Sequence, residues 1–201
     1  MAPLALNRAL TTVRYRPSSP WCRTTDGSME TVLGPEQPPL VITDAVLLAQ
    51  GGAHWKIRQG YAYWKSIHPA GGLPGRQHLE PLAIPDLLRH VWLADLALDP
   101  LQVRYRLAGT GVVAGLGREV TGLPFHEAHP GAAAETFYRS RIMAMIETRA
   151  ATWRRGESKL WEHEVWLNVE NLILPMAADG QRIDMLMGVS IFFDGHGAEL
   201  R

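Results

Sequence analysis

A chain of 201 residues has room for one well-buried core and an extension, but not for two full domains. Its 20 Lys and Arg balance 20 Asp and Glu, so no net field draws it to nucleic acid or to an anionic membrane, and no apolar run approaches the roughly 20 residues that cross a bilayer. The single cysteine, Cys22, excludes an intramolecular disulfide, a cysteine-rich metal site and a Cys-x-x-Cys redox pair, and it fits a reducing, cytoplasmic setting.

Residues 1–42 carry Pro3, Pro17, Pro20, Pro35, Pro38 and Pro39 and little periodicity. They hold too little apolar surface to offset the entropy of ordering, so a disordered extension is expected. Arg8, Arg14, Arg16 and Arg23, with no acid among the first 25 residues, have the composition of an organelle-targeting leader or of sequence translated upstream of a true start at Met29. The lack of an amphipathic helix there favours the second reading.

Residues 43–68 read as a helical segment. Thr43-Asp44 supplies a cap for a short helix that runs to Gln50 and is closed by Gly51-Gly52. Over residues 53–67, Ile57, Tyr61 and Trp64 recur at i, i+4 and i+7 on one face, while Lys56, Arg58 and Lys65 lie elsewhere. The apolar side of this amphipathic helix suits either the chain's own sheet or a partner's, which makes Ile57, Tyr61 and Trp64 the candidate interface.

The main domain is expected over residues 69–195, with a tail over 196–201. A loop rich in Gly and Pro leads to Pro85, placed at the first position of a brief helix, where its missing N–H costs nothing. Residues 91–98 are apolar on both faces apart from Asp95, Asp99-Pro100 marks a turn, and residues 102–107 alternate with Val103, Tyr105 and Leu107 on one side. Two antiparallel strands follow from that pattern.

After Pro130-Gly131, residues 132–151 form the longest helix, with Ala134, Tyr138, Ile142, Met145, Ile146 and Arg149 on one stripe and Glu135 paired with Arg139 at i, i+4. Extended segments near 152–155, at 161–176 and at 182–193 close the chain, the last two joined across the hairpin signal Asp179-Gly180. In the final one, Ile183, Met185, Met187, Val189, Ile191 and Phe193 share one face, opposed by Arg182, Asp184, Gly188, Ser190 and Asp194.

Two antiparallel units divided by helices define an α+β fold, a five-stranded antiparallel sheet with helices packed on one face. Tyr63-Trp64, Leu73-Pro74-Gly75-Arg76, Ile84-Pro85 with Leu87-Leu88, and His90-Val91-Trp92-Leu93 occur in that order. They are followed by the run 105–110, Gly117-Arg118 with Thr121-Gly122, and Leu174-Pro175 before Asp179-Gly180. Together, over roughly residues 55 to 193, they resemble a bacterial family of small stand-alone PAS proteins, typical of alpha-proteobacteria and formerly a domain of unknown function.

The resemblance implies a sensory or regulatory module, not an enzyme. Such a module binds a small apolar ligand or a partner protein, and signals by association with itself or with another signalling protein. The expected cavity lining, between sheet and long helix, is Tyr105, Phe125, Tyr138, Ile142, Met145, Trp166, Met187 and Ile191.

No cofactor is assigned. Some PAS proteins hold haem through a histidine on the long helix, and this helix has none; Met143 and Met145 read as core filler. A flavin photosensor needs a cysteine beside the ring, which Cys22 in the extension does not supply. The glycines at 109, 111 and 115 imitate a dinucleotide-binding turn, but the strand before them carries Arg104 and Arg106, and no parallel strand ending in an acid follows. His126-Glu127-Ala128-His129 spaces its histidines three apart, where a zinc-protease helix needs four, so no metal is assigned. The rival reading is a small α+β enzyme that uses His126 or His129 with Glu127 as acid and base, for which a polar-lined cavity is required. A third is a ligand-free structural dimer.

Overall fold

The structure, a computed structural model, describes residues 40–130, 132–157 and 168–200. The chain divides into units of residues 1–37 and 38–201, and every described residue belongs to the second. Its strands are β1 (Leu40–Ile42), β2 (Val91–Leu98), β3 (Leu101–Ala108), β4 (Ala151–Glu157), β5 (Asn168–Met176) and β6 (Met185–Phe193). They form one antiparallel sheet in the order β1-β4-β5-β6-β2-β3. Its helices are α1 (Ala45–Gln50), α2 (Trp55–Ser66), α3 (Thr110–Leu116), α4 (Phe125–Ala128) and α5 (Ala132–Thr148).

The sheet has six strands because β1 adds to the outer edge of β4. Leu40–Ile42 falls inside the stretch expected to be disordered, and that expectation is corrected for these residues. Ile42 is fully buried, and β-branched Val41 and Ile42 suit a pleated edge. The rest of the extension lies outside the described residues. Asp44 caps α1 by accepting hydrogen bonds from the N–H groups of Val46 and Leu47 at 2.8 and 3.2 Å.

β6 lies between β5 and β2, and all nine of its residues are buried, so both of its faces are covered. α2 covers one. A Cβ on Gly60 would lie 2.8 Å from Val189 Cγ2, so only glycine lets the α2 backbone approach β6 this closely. Ile57, Tyr61 and Trp64 are buried against the chain's own sheet, and the Trp64 Nε1–H donates to the Pro175 carbonyl at 3.0 Å. These three are therefore core residues, and the reading of them as an open interface is corrected. Periodicity identifies an apolar face without saying what covers it.

The foot of α2 is pinned by Glu170, a fully buried carboxylate on the α2 side of β5. Its Oε1 accepts from the His54 N–H at 2.8 Å and from Trp153 Nε1 at 3.0 Å. The tail is docked beside it. Leu200 donates to the Phe192 carbonyl at 2.9 Å, and Glu199 bonds to Lys56 and lies 3.2 Å from His90 Nε2.

Gly188, Ser190 and Phe192 face the other way, toward α3, α4 and α5. Two local departures from simple periodicity matter there. Leu93 pairs with Leu107 and Ala94 with Tyr105, leaving Arg106 as the extra residue of a β-bulge. Tyr105 stays buried while Leu107, expected on the same side, is 46% exposed. α5 ends at Thr148, because Arg149 adopts a left-handed conformation (φ 54°) and its guanidinium bonds to the Gly180 carbonyl at 3.0 Å. Asp179 Oδ1 shapes that hairpin by accepting from the N–H groups of Gln181 and Arg182, both at 2.8 Å.

Candidate functional site

Between the sheet and α3–α5 lies a cavity of about 50 Å³. One water needs roughly 10–15 Å³ by the same measure, so this space holds a few waters or one small molecule. Aromatic rings make much of the wall. Phe125 from α4 stacks on Tyr138 from α5 with centroids 4.0 Å apart, and Trp92 meets Tyr105 edge-on at 5.6 Å. Val112 and Leu116 of α3 and Phe192 of β6 add apolar surface.

Polar groups complete the lining: Arg141, Arg154, Asn171 and Ser190. Strand register brings these groups together, because Asn171 on β5 pairs with Ser190 on β6, and Gly188, two residues before Ser190, pairs with Trp92 on β2. Ser190 Oγ accepts from Trp92 Nε1 at 2.9 Å and from Asn171 Nδ2 at 2.8 Å. Arg141 Nη1 donates to Asn171 Oδ1 at 2.7 Å, and its Nη2 donates to the Thr152 and Asn171 carbonyls at 3.0 and 3.2 Å. One hydrogen-bonded line thus crosses β2, β6, β5 and β4 and ties α5 to the sheet.

The electrostatics of this line are unusual. Arg141 is only 3% exposed, and burial lowers its pKa to about 9, with Arg154 adding repulsion, so the guanidinium still carries its charge at neutral pH. Among the described residues no carboxylate lies within ion-pair distance of it. Tyr138 Oη is buried with no hydrogen-bond partner among the described residues, and burial raises its pKa while the nearby Arg141 opposes the rise. Tyr105 Oη lies 2.9 Å from His129 Nε2. Burial, helped by Arg118, lowers the His129 pKa to about 4, which keeps the ring neutral.

Of the residues expected to line the cavity, Tyr105, Phe125 and Tyr138 do so. Ile142 and Met145 are buried further along α5, where it packs on β1 and β4. Met187 and Ile191 share the Val189 side of β6 and lie on the α2 face, opposite the cavity, so their placement in the lining is corrected. Alternation fixes which residues share a face, and it leaves open which face is hollow. Trp166 lies outside the described residues. His126 and Glu127 pair at the surface 3.8 Å apart, 69% and 57% exposed, whereas His129 is buried against Tyr105. The three residues of the rival acid–base set are not brought to one point.

Sequence reading missed Arg141, Asn171 and Ser190. Arg141 left a usable signal: it sits three residues after Tyr138 and next to Ile142, inside an apolar stripe. Asn171 and Ser190 left none, since only strand register unites them.

Among the described residues no helix is long and apolar enough to cross a membrane. No curated protein and no solved structure matches the chain. Residues 53–191 match the PAS domain family, a span that runs from the foot of α2 almost to the end of β6 and includes every cavity-lining residue but Phe192. A sheet in this order, hollow on the face that α3–α5 cover, agrees with that match, and the chain belongs to the PAS domain family.

Proposed function

We propose that this chain senses a small molecule held in the cavity beneath α3–α5 and reports its presence by associating with a second copy or with another signalling protein, in the cytoplasm. A PAS domain is in general a sensory or regulatory module. The observation that carries the finer reading is the asymmetry of the sheet. Its α2 face is filled by the chain's own side chains, while the opposite face keeps an aromatic-walled space. A ligand there shifts the balance of α3–α5 packings only by as much as it prefers one of them. The separation of His126 and Glu127 from His129 weighs against the enzyme alternative. The burial of Ile57, Tyr61 and Trp64 weighs against a dimer built on α2.

Native mass spectrometry of the purified chain, with melting curves over a panel of small molecules, tests this. A retained non-covalent mass, or a melting temperature raised by several degrees by a panel compound, is expected. Both effects are lost in Val112→Trp, which fills the cavity from α3, and weakened in the milder Leu116→Phe. A chain that carries no mass and responds to no compound contradicts the proposal, as do folded variants that behave like the wild type.

A further inference from the structure

Building on the sensing role just proposed, we infer that the cavity takes a small organic carboxylate with an apolar body, its carboxylate lying against Arg141. A guanidinium has five N–H donors. Four hydrogen bonds, from Nε to Thr152 Oγ1, from Nη1 to Asn171 and from Nη2 to the Thr152 and Asn171 carbonyls, leave one Nη1 proton over. Every acceptor is a neutral dipole. The bonds orient the group, and among the described residues no carboxylate answers its charge, in a site where an unpaired charge is expensive.

The buried carboxylate among the described residues does not supply the counter-charge. Glu170 follows Val169 and precedes Asn171, so its side chain leaves β5 on the α2 face, where it holds His54 and Trp153. Two further groups of the lining have capacity. Tyr138 Oη is buried without a partner among the described residues, and Ser190 Oγ, already accepting twice, has its own proton to give. These donors, all from residues that line the cavity, suit a carboxylate. Val112, Leu116 and Phe192 add lining with nothing polar to offer, so an inorganic anion would leave the apolar surface unused and a neutral apolar molecule would leave the charge unanswered.

Calorimetric titration of the full chain with benzoate, phenylacetate and isovalerate, against benzamide, benzyl alcohol and sulfate, tests the inference. The carboxylates should bind saturably and at least tenfold more tightly than the neutral compounds. Arg141→Met should abolish the difference between benzoate and benzamide, and Arg141→Lys should leave part of it. Should Arg141→Met fail to fold, Tyr138→Phe provides the test, with an expected severalfold loss for benzoate and none for benzamide. Benzamide binding as tightly as benzoate overturns the carboxylate assignment and leaves a neutral-ligand cavity standing. Sulfate binding as tightly as benzoate overturns it in favour of an inorganic-ion site. Failure of every probe overturns it too, and the retained mass measured above then decides separately whether the cavity senses anything.

Discussion

Gly188→Leu is expected to lower the melting temperature by roughly 10 °C or more, or to abolish the cooperative transition. A Cβ at this position would lie 1.8 Å from Trp92 Cε2 and 2.3 Å from its Nε1, inside the indole itself. Trp92 packs flat on β6 because residue 188 has no side chain, and from there its Nε1–H reaches Ser190. Overpacking a core of this kind costs about 1–3 kcal/mol, and a buried donor and acceptor left unpaired cost about 1–3 kcal/mol more. At this chain length each kcal/mol moves the midpoint by about 2–4 °C. Gly195→Ala is the control. Its added Cβ meets open space, so a change within about 0.5 kcal/mol is expected. Thermal melts of the two variants side by side check the claim, and equal midpoints contradict it.

Acid is expected to destabilise the fold well before its carboxylates titrate. The His129 ring is neutral in the folded chain down to about pH 4. In the unfolded chain an imidazole titrates near 6.5, so between those values the unfolded state binds a proton that the folded state does not. Stability is then complete above about pH 6.5 and falls as the pH drops toward 4, by about 2–3 kcal/mol from this residue. His90, His54 and His68, each lowered chiefly by burial, act in the same direction. Glu119, Asp179 and Asp194, held low by hydrogen bonds, add their losses only in stronger acid. Urea unfolding between about pH 7.5 and 4.5 should show this decline, and His129→Gln should flatten it. Equal stability at both ends contradicts a buried neutral ring at position 129.

The features legible in the sequence are those set by neighbours along the chain. Asp44 caps, Asp179-Gly180 turns, and Tyr138, Ile142 and Met145 share a stripe, because each depends on residues within a turn or two. What register and packing decide was not legible. Ile57, Tyr61 and Trp64 announce an apolar face, and only the closeness of Gly60 to Val189 shows that the chain covers it itself. Met187 and Ile191 share a face with Val189, yet parity along a central strand cannot say which side holds the cavity. Arg141 sits beside Ile142, next to that stripe. Its meaning depends on Thr152 and Asn171, which β-pairing brings beneath α5.

The claim that the α3–α5 side of the sheet is the sensing face, and the α2 side is not, meets its most direct test in the ¹H–¹⁵N spectrum during titrations with benzoate and benzamide. Trp92 Nε1–H lies at the cavity and Trp64 Nε1–H, bonded to the Pro175 carbonyl, lies on the other face. The expected result is a saturable shift of the Trp92 indole and the Arg141 Nε–H signals, larger with benzoate, while the Trp64 indole stays in place. Trp92 and Arg141 unmoved by both compounds, or Trp64 moving with them, would contradict it.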